Sequence, residues 1–171
     1  RDSGGLVRGY RMEDAETVVI AMGSLLGTIK DTVDAMRDAG VKIGVLGIIS
    51  FRPFPLEAVR AALTGVKRVV VVEKTFAVGI GGILATDVRT AMDGISIIDY
   101  TVVAGLGGRP ITRKSLQDVF EKAGRDELPP LTFLDLDWNI VNKQLERERQ
   151  KRRSGPTAEN ILRDVNPATL L

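Results

Sequence analysis

The sequence predicts an α/β fold, a three-layer α/β/α domain built on a mostly parallel five-stranded mixed sheet and followed by a C-terminal helical tail. Three observations predict it. Runs of apolar, often β-branched residues without alternation read as strands buried on both faces; segments with apolar residues at helical spacing lie between them; and the connections are short and rich in glycine.

Each element has its own signal. Leu6 to Met12 reads as an edge strand, and the tight Glu13-Asp14-Ala15 connection sets it antiparallel to the strand that follows. Thr17 to Met22 is the first buried strand. Ser24 then caps a helix whose Ile29, Val33 and Met36 form one apolar stripe, with Asp31, Asp34 and Arg37 outside it and Gly40 at its end. After the strand Val41 to Ile49, Pro55 suits the first position of a second helix in which Leu56, Val59 and Leu63 share a face before Gly65. Val69 to Val72 is the third buried strand. Leu84, Val88 and Ala91 repeat the helical spacing before Gly94, and Ile95 to Val103 completes the set of strands. A Thr112 cap opens a last domain helix through Leu116, Val119 and Phe120 to Gly124.

The domain is expected over residues 1–127 and a helical extension over 128–171. Leu128-Pro129-Pro130-Leu131 reads as a linker, and Trp138, Val141 and Leu145 begin a helix that ends in the charged run Glu146 to Arg153. Ser154-Gly155-Pro156 breaks that helix, and Thr157 caps a short one carrying Ile161, Leu162 and Val165.

The chain of 171 residues has room for one domain and an appendage. It has no cysteine and no histidine, so it cannot itself supply a Cys/His zinc site, a cysteine-ligated iron–sulfur cluster, a disulfide, a cysteine nucleophile, a Ser-His-Asp triad or an imidazole base. Net charge is +2 and sits in the tail: residues 1–140 carry 17 basic and 18 acidic side chains, residues 141–171 carry 7 and 4. The longest stretch without charge, Thr17 to Ile29, is 13 residues, short of the roughly 20 that span a bilayer. Neither a membrane helix nor a signal peptide is read. The chain starts at Arg1 without methionine and runs into Ser3-Gly4-Gly5, as a piece of a longer polypeptide would.

Ligands of open α/β sheets bind beyond the carboxyl ends of the strands, so the loops there are the candidate sites. Gly23-Ser24 through Gly27 can hold an anion at a helix start or can be a serine-capped turn; it lacks both the GxGxxG and the GK[ST] spacing. Gly79, Gly81 and Gly82, after Glu73 and Lys74, allow close approach by a second subunit or by a ligand. Gly105, Gly107, Gly108 and Arg109 place a guanidinium beside a glycine turn, either as a carboxylate or phosphate clamp or paired with a nearby carboxylate to fix the loop. Asp135 and Asp137 are spaced as magnesium ligands or as helix caps. The basic run 147–153 is interleaved with glutamate and lacks aromatic platforms, which fits a solvated helix end or an arm on another subunit better than nucleic acid.

Ala15 to Ser24, Gly44 through Phe51-Arg52-Pro53-Phe54-Pro55, Val78 to Gly82 with Thr86-Asp87-Val88, and Gly105 to Arg109 together resemble the transketolase C-terminal-like domain of 2-oxoacid:ferredoxin oxidoreductases, in the alpha subunit or the corresponding part of a fused pyruvate:ferredoxin (flavodoxin) oxidoreductase. The resemblance covers about residues 6–123. It implies a cytoplasmic parent enzyme that converts pyruvate or another 2-oxoacid and coenzyme A to the acyl-CoA and carbon dioxide, using thiamine diphosphate, magnesium and iron–sulfur clusters, with ferredoxin or flavodoxin as electron acceptor. It implies partners in pyrimidine-binding, pyrophosphate-binding, gamma-like and cluster-bearing domains or subunits, with neither nucleic acid nor membrane among them.

No Gly-Asp-Gly occurs, and all four asparagines (139, 142, 160, 166) lie in the tail, so the chain lacks the thiamine diphosphate metal motif. The resemblance therefore implies an assembly domain, inactive by itself, with no catalytic, cofactor-binding or metal-binding residue. Gly23, Ser24, Gly79, Gly81, Gly82, Gly105, Gly107, Gly108 and Arg109 are its interface or loop-shaping candidates. Two other classes stay open: a free-standing α/β domain that binds an anionic ligand, and an interaction module that works through the basic tail.

Overall fold

The computed structural model describes residues 5–150. The helix expected from Thr157 and the end of the basic run lie outside the described residues.

The strands are β1 (Val7–Tyr10), β2 (Thr17–Met22), β3 (Ile43–Ile48), β4 (Arg68–Glu73), β5 (Ile98–Val103) and β6 (Leu131–Phe133). The helices are α1 (Leu25–Asp38), α2 (Leu56–Ala62), α3 (Ile83–Ala91), α4 (Arg113–Gly124) and α5 (Trp138–Gln150). One sheet takes the order β1-β3-β2-β4-β5-β6, all parallel except the β1–β3 pair. The mixed, mostly parallel α/β class is as expected, with two differences of detail. The sheet has six strands instead of five. And β1, though opposite in direction to β2, pairs with β3.

The consecutive apolar strands are buried on both faces because helices cover each side. Val19, Val45, Val70 and Val102 point to one side, under Ile29 and Val33 of α1 and Leu116 and Phe120 of α4. Val18, Ile20, Leu46, Val69 and Val71 point to the other, under Val59 of α2 and Leu84 and Val88 of α3. Both β4-α3-β5 and β5-α4-β6 step outward in the same direction, yet α3 and α4 lie on opposite faces. The last crossover is thus opposite in hand to the others, and right-handed is the usual hand.

Helix ends show where local signals hold. Gly40 takes φ +84° and closes α1, and Thr112 Oγ1 accepts the Ser115 amide at 3.1 Å, capping α4 as predicted. Ser24 instead is already helical (φ −63°, ψ −22°) and its hydroxyl caps nothing. Pro55 stands one position before its helix, its carbonyl accepting the Val59 amide at 3.0 Å, and Leu56 is 38% exposed where it was expected to share the buried face. Gly44 permits a crossing: a Cβ there would lie 2.6 Å from the Arg11 carbonyl oxygen.

The predicted linker is the main correction. Leu128 is buried under α4, Pro130 O accepts the Thr101 amide at 2.8 Å, and β6 adds to the sheet. The compact unit accordingly extends to Asp135, past the boundary at residue 127, and the second unit begins at Leu136. In that second unit Asp137 Oδ1 accepts the amides of Asn139 (3.0 Å) and Ile140 (3.2 Å), so Asp137 caps α5. Among the described residues no helix is long and apolar enough to cross a membrane.

Candidate functional site

Strands β2, β3, β4 and β5 all end at one edge, which gathers the three glycine-bearing loops. The chain leaves β2 through α1 on one face, and β4 through α3 on the other. Loops that diverge in this way open a crevice between their strands. Here it is a cleft of about 290 Å³. Met22 and Leu25 line it from the β2 side, Ile83 and Leu84 from the start of α3, and Phe51 from the loop after β3. Phe51 is braced: the Arg52 guanidinium carbon lies 3.9 Å from its ring centre, the Phe54 ring meets it edge-on at 6.2 Å, and Arg52 is anchored on Asp87 at 2.8 Å.

Glu73 closes the inner wall. This carboxylate is buried at the end of four valines and spans the start of α3, where its oxygens accept the amides of Leu84 (2.9 Å) and Ala85 (3.0 Å). It supplies the cap that Gly82 cannot, and an acid suits that end of the helix dipole. Gly82 is there because a Cβ would stand 2.1 Å from Glu73 Oε1 and 2.9 Å from Thr101 Cγ2. Glu73 was not among the candidate residues read from the sequence. The available signal was an acid ending an otherwise apolar strand ahead of a glycine-opened helix.

The middle loop projects. Ala77 and Gly81 exchange backbone hydrogen bonds of 2.8 and 2.7 Å, and Gly79 and Gly81 take φ of +83° and +93°. This tight turn holds Val78 at 92% and Ile80 at 66% exposure. Behind it, Phe76 meets Phe133 of β6 edge-on at 5.1 Å.

Gly105, just before a single 3-10 turn over Leu106–Gly108, and Gly107 and Gly108 within it all have positive φ. Arg109 donates through Nη1 to the Asp135 backbone carbonyl. It therefore ties the loop to the segment after β6 through a carbonyl instead of a carboxylate. Gly23, with φ +72°, bends the chain from β2 into α1. The structure thus brings Gly23, Ser24, Gly79, Gly81, Gly82, Gly105, Gly107, Gly108 and Arg109 to one edge of the sheet, in three separate loops. Asp135 and Asp137 do not converge on a metal site: Asp137 is the α5 cap. Among the described residues no group of three acidic side chains stands close enough to hold a metal ion.

Residues 15–116 match the family model described as pyruvate:ferredoxin oxidoreductase core domain II. The pyruvate synthase subunit PorA of Methanosarcina barkeri is 41% identical over 150 residues, covering 82% of this chain and 37% of the relative. The chain spans about a third of the length of the curated relatives it matches. Among solved structures, the 2-oxoglutarate:ferredoxin oxidoreductase from Magnetococcus marinus, with 2-oxoglutarate, coenzyme A and succinyl-CoA bound, superposes with a TM-score of 0.58 over 71% of this chain and 20% of that one, at 23% identity. A split-gene transketolase, an inactive beta4 tetramer, gives 0.52 over 68% of this chain and 41% of that one, at 17% identity. These two likenesses are of fold.

Proposed function

The chain belongs to the pyruvate:ferredoxin oxidoreductase core domain II family, and from that premise we propose that it is a non-catalytic assembly domain of a thiamine-diphosphate-dependent 2-oxoacid:ferredoxin or flavodoxin oxidoreductase. In this reading the parent enzyme is cytoplasmic, takes pyruvate and coenzyme A to acetyl-CoA and carbon dioxide, and delivers the electrons to ferredoxin or flavodoxin.

The observation that carries the reading is the turn holding Val78 and Ile80 out into solvent. A rigid, glycine-built display of β-branched apolar side chains is favourable only if another surface covers it. The carboxyl edge adds support, because its buried acid is committed: both Glu73 oxygens serve backbone amides and are not free for a pyrophosphate-bound magnesium. The residues of this cleft do not fit the magnesium of thiamine diphosphate. Without cysteine the chain offers no thiolate to a cluster. Those groups belong, in this reading, to the pyrimidine-binding, pyrophosphate-binding and cluster-bearing parts, and the glycine loops with Arg109 face such neighbours.

The test is the double variant Val78→Asp/Ile80→Asp, expressed with the companion subunits of the oxidoreductase. We expect a folded chain that no longer co-elutes with them; undiminished assembly would overturn the reading. Calorimetry on the isolated chain is expected to give no heat of binding with thiamine diphosphate and magnesium, and micromolar binding would contradict it.

A further inference from the structure

We propose that the cleft between the ends of β2 and β4 is a binding site for a small apolar monocarboxylate, held by its chain against Met22, Leu25, Phe51 and Ile83 and by its carboxylate at Lys74 and Thr75. The proposal goes beyond the assembly reading and stands independently of it.

The position is the first argument. The cleft lies at the topological switch point of a parallel sheet, beyond the carboxyl ends of the strands, where open α/β folds form their ligand crevices. The lining is the second. Apolar walls with a few convergent polar groups make the usual composition of a small-molecule site. Here the polar groups stand in the consecutive stretch Glu73-Lys74-Thr75.

Their commitments differ. Glu73 has both oxygens on the amides of α3. Lys74 and Thr75 are exposed and make no ion pair or side-chain hydrogen bond among the described residues, while lining the same space. A lone ammonium with a neighbouring hydroxyl suits one carboxylate; a polyphosphate calls for several donors or an arginine fork. Size is compatible with this: about 290 Å³ stands at the lower end of the range of small-molecule pockets, roughly 300–1,000 Å³. Phe51, braced by Arg52 and Phe54, makes one wall firm before any ligand arrives.

The test is a titration of the full chain with hexanoate, followed by amide chemical shifts in two-dimensional NMR, with hexanamide and inorganic phosphate as the other arms. We expect saturable shifts confined to residues 22–25, 51, 73–75 and 83–84, with hexanamide binding at least about tenfold more weakly and phosphate failing to saturate. Lys74→Met is expected to weaken hexanoate by a similar factor, and Met22→Trp, at a residue on the cleft's open side, to abolish binding while the remaining spectrum stays folded. Absence of saturable shifts, shifts elsewhere, equal affinity for hexanamide, binding of phosphate alone, or indifference to Lys74→Met would each overturn the proposal.

Discussion

At the amino edge of the sheet, charged side chains reach from element to element: Lys67 to Glu16 (2.8 Å), Arg37 to Asp14 (2.5 Å), Arg11 to Asp34 (3.2 Å), and Arg68 to both oxygens of Asp126 (2.6 and 2.5 Å). At the carboxyl edge Arg52 pairs with Asp87, but the loop after β4 leaves Val78 and Ile80 in solvent, and the buried acid Glu73 caps a helix. One end closes the fold and the other presents a surface. The same central strands run between them, so the difference arises in the loops: positive-φ glycines turn the chain at both edges, while most of the cross-element ion pairs gather at one.

The largest expected effect comes where the carboxyl edge is itself structural. Gly82→Ala would drive a methyl group into the Glu73 carboxylate and is expected to cost about 2–4 kcal/mol in urea unfolding. Part of that loss should return in Glu73→Ala/Gly82→Ala, since the two residues share one space. Loss from Gly82→Ala below about 1 kcal/mol would blur the comparison, because the glycine would then be a loop residue like its neighbours.

A smaller effect is expected at the other end. Arg68→Ala should lower Tm by a few degrees while leaving subunit association intact. The same end governs acid stability. The Arg37, Lys67 and Arg68 side chains hold the Asp14, Glu16 and Asp126 carboxyls below their ordinary range, and the Tyr10 hydroxyl, with Arg11, does so for Asp34. These groups bind protons more weakly folded than unfolded, so their contribution is complete above the ordinary carboxylate pKa of about 4 and is lost as pH falls through the depressed folded values. Unfolding followed from pH 7 downward should show flat stability that declines below about pH 4, with the decline shallower in Arg68→Ala.

The smallest stability effect belongs to Val78→Asp/Ile80→Asp, expected within about 0.5 kcal/mol of the parent chain. That change should break assembly alone. A large destabilisation would mean that the turn is held by contacts within the domain, and the contrast between the two edges would fail.

The strands and the first four helices were legible because their signals are local: apolar runs, helical spacing, Gly40 and Thr112 at helix ends. β6 was not, for physical reasons. It is three residues long, follows two prolines, and enters the sheet through a crossover of the less common hand, so neither periodicity nor topology rules point to it. At the site, the glycine loops were legible as turns. The cap on α3 was not, because it comes from Glu73, eleven and twelve positions before the amides it accepts and adjacent to them only once β4 and α3 pack. Arg109 likewise meets a carbonyl at Asp135 that only the placement of β6 brings near.

Both outer strands are short, four residues in β1 and three in β6. A sheet that ends so briefly on either side gives an incoming strand almost no ladder to extend, which guards against edge-to-edge aggregation. Recruitment by strand addition is closed off for the same reason. A contact made by side chains on the loops, as in the proposed assembly, can be altered residue by residue without disturbing the hydrogen-bonded frame.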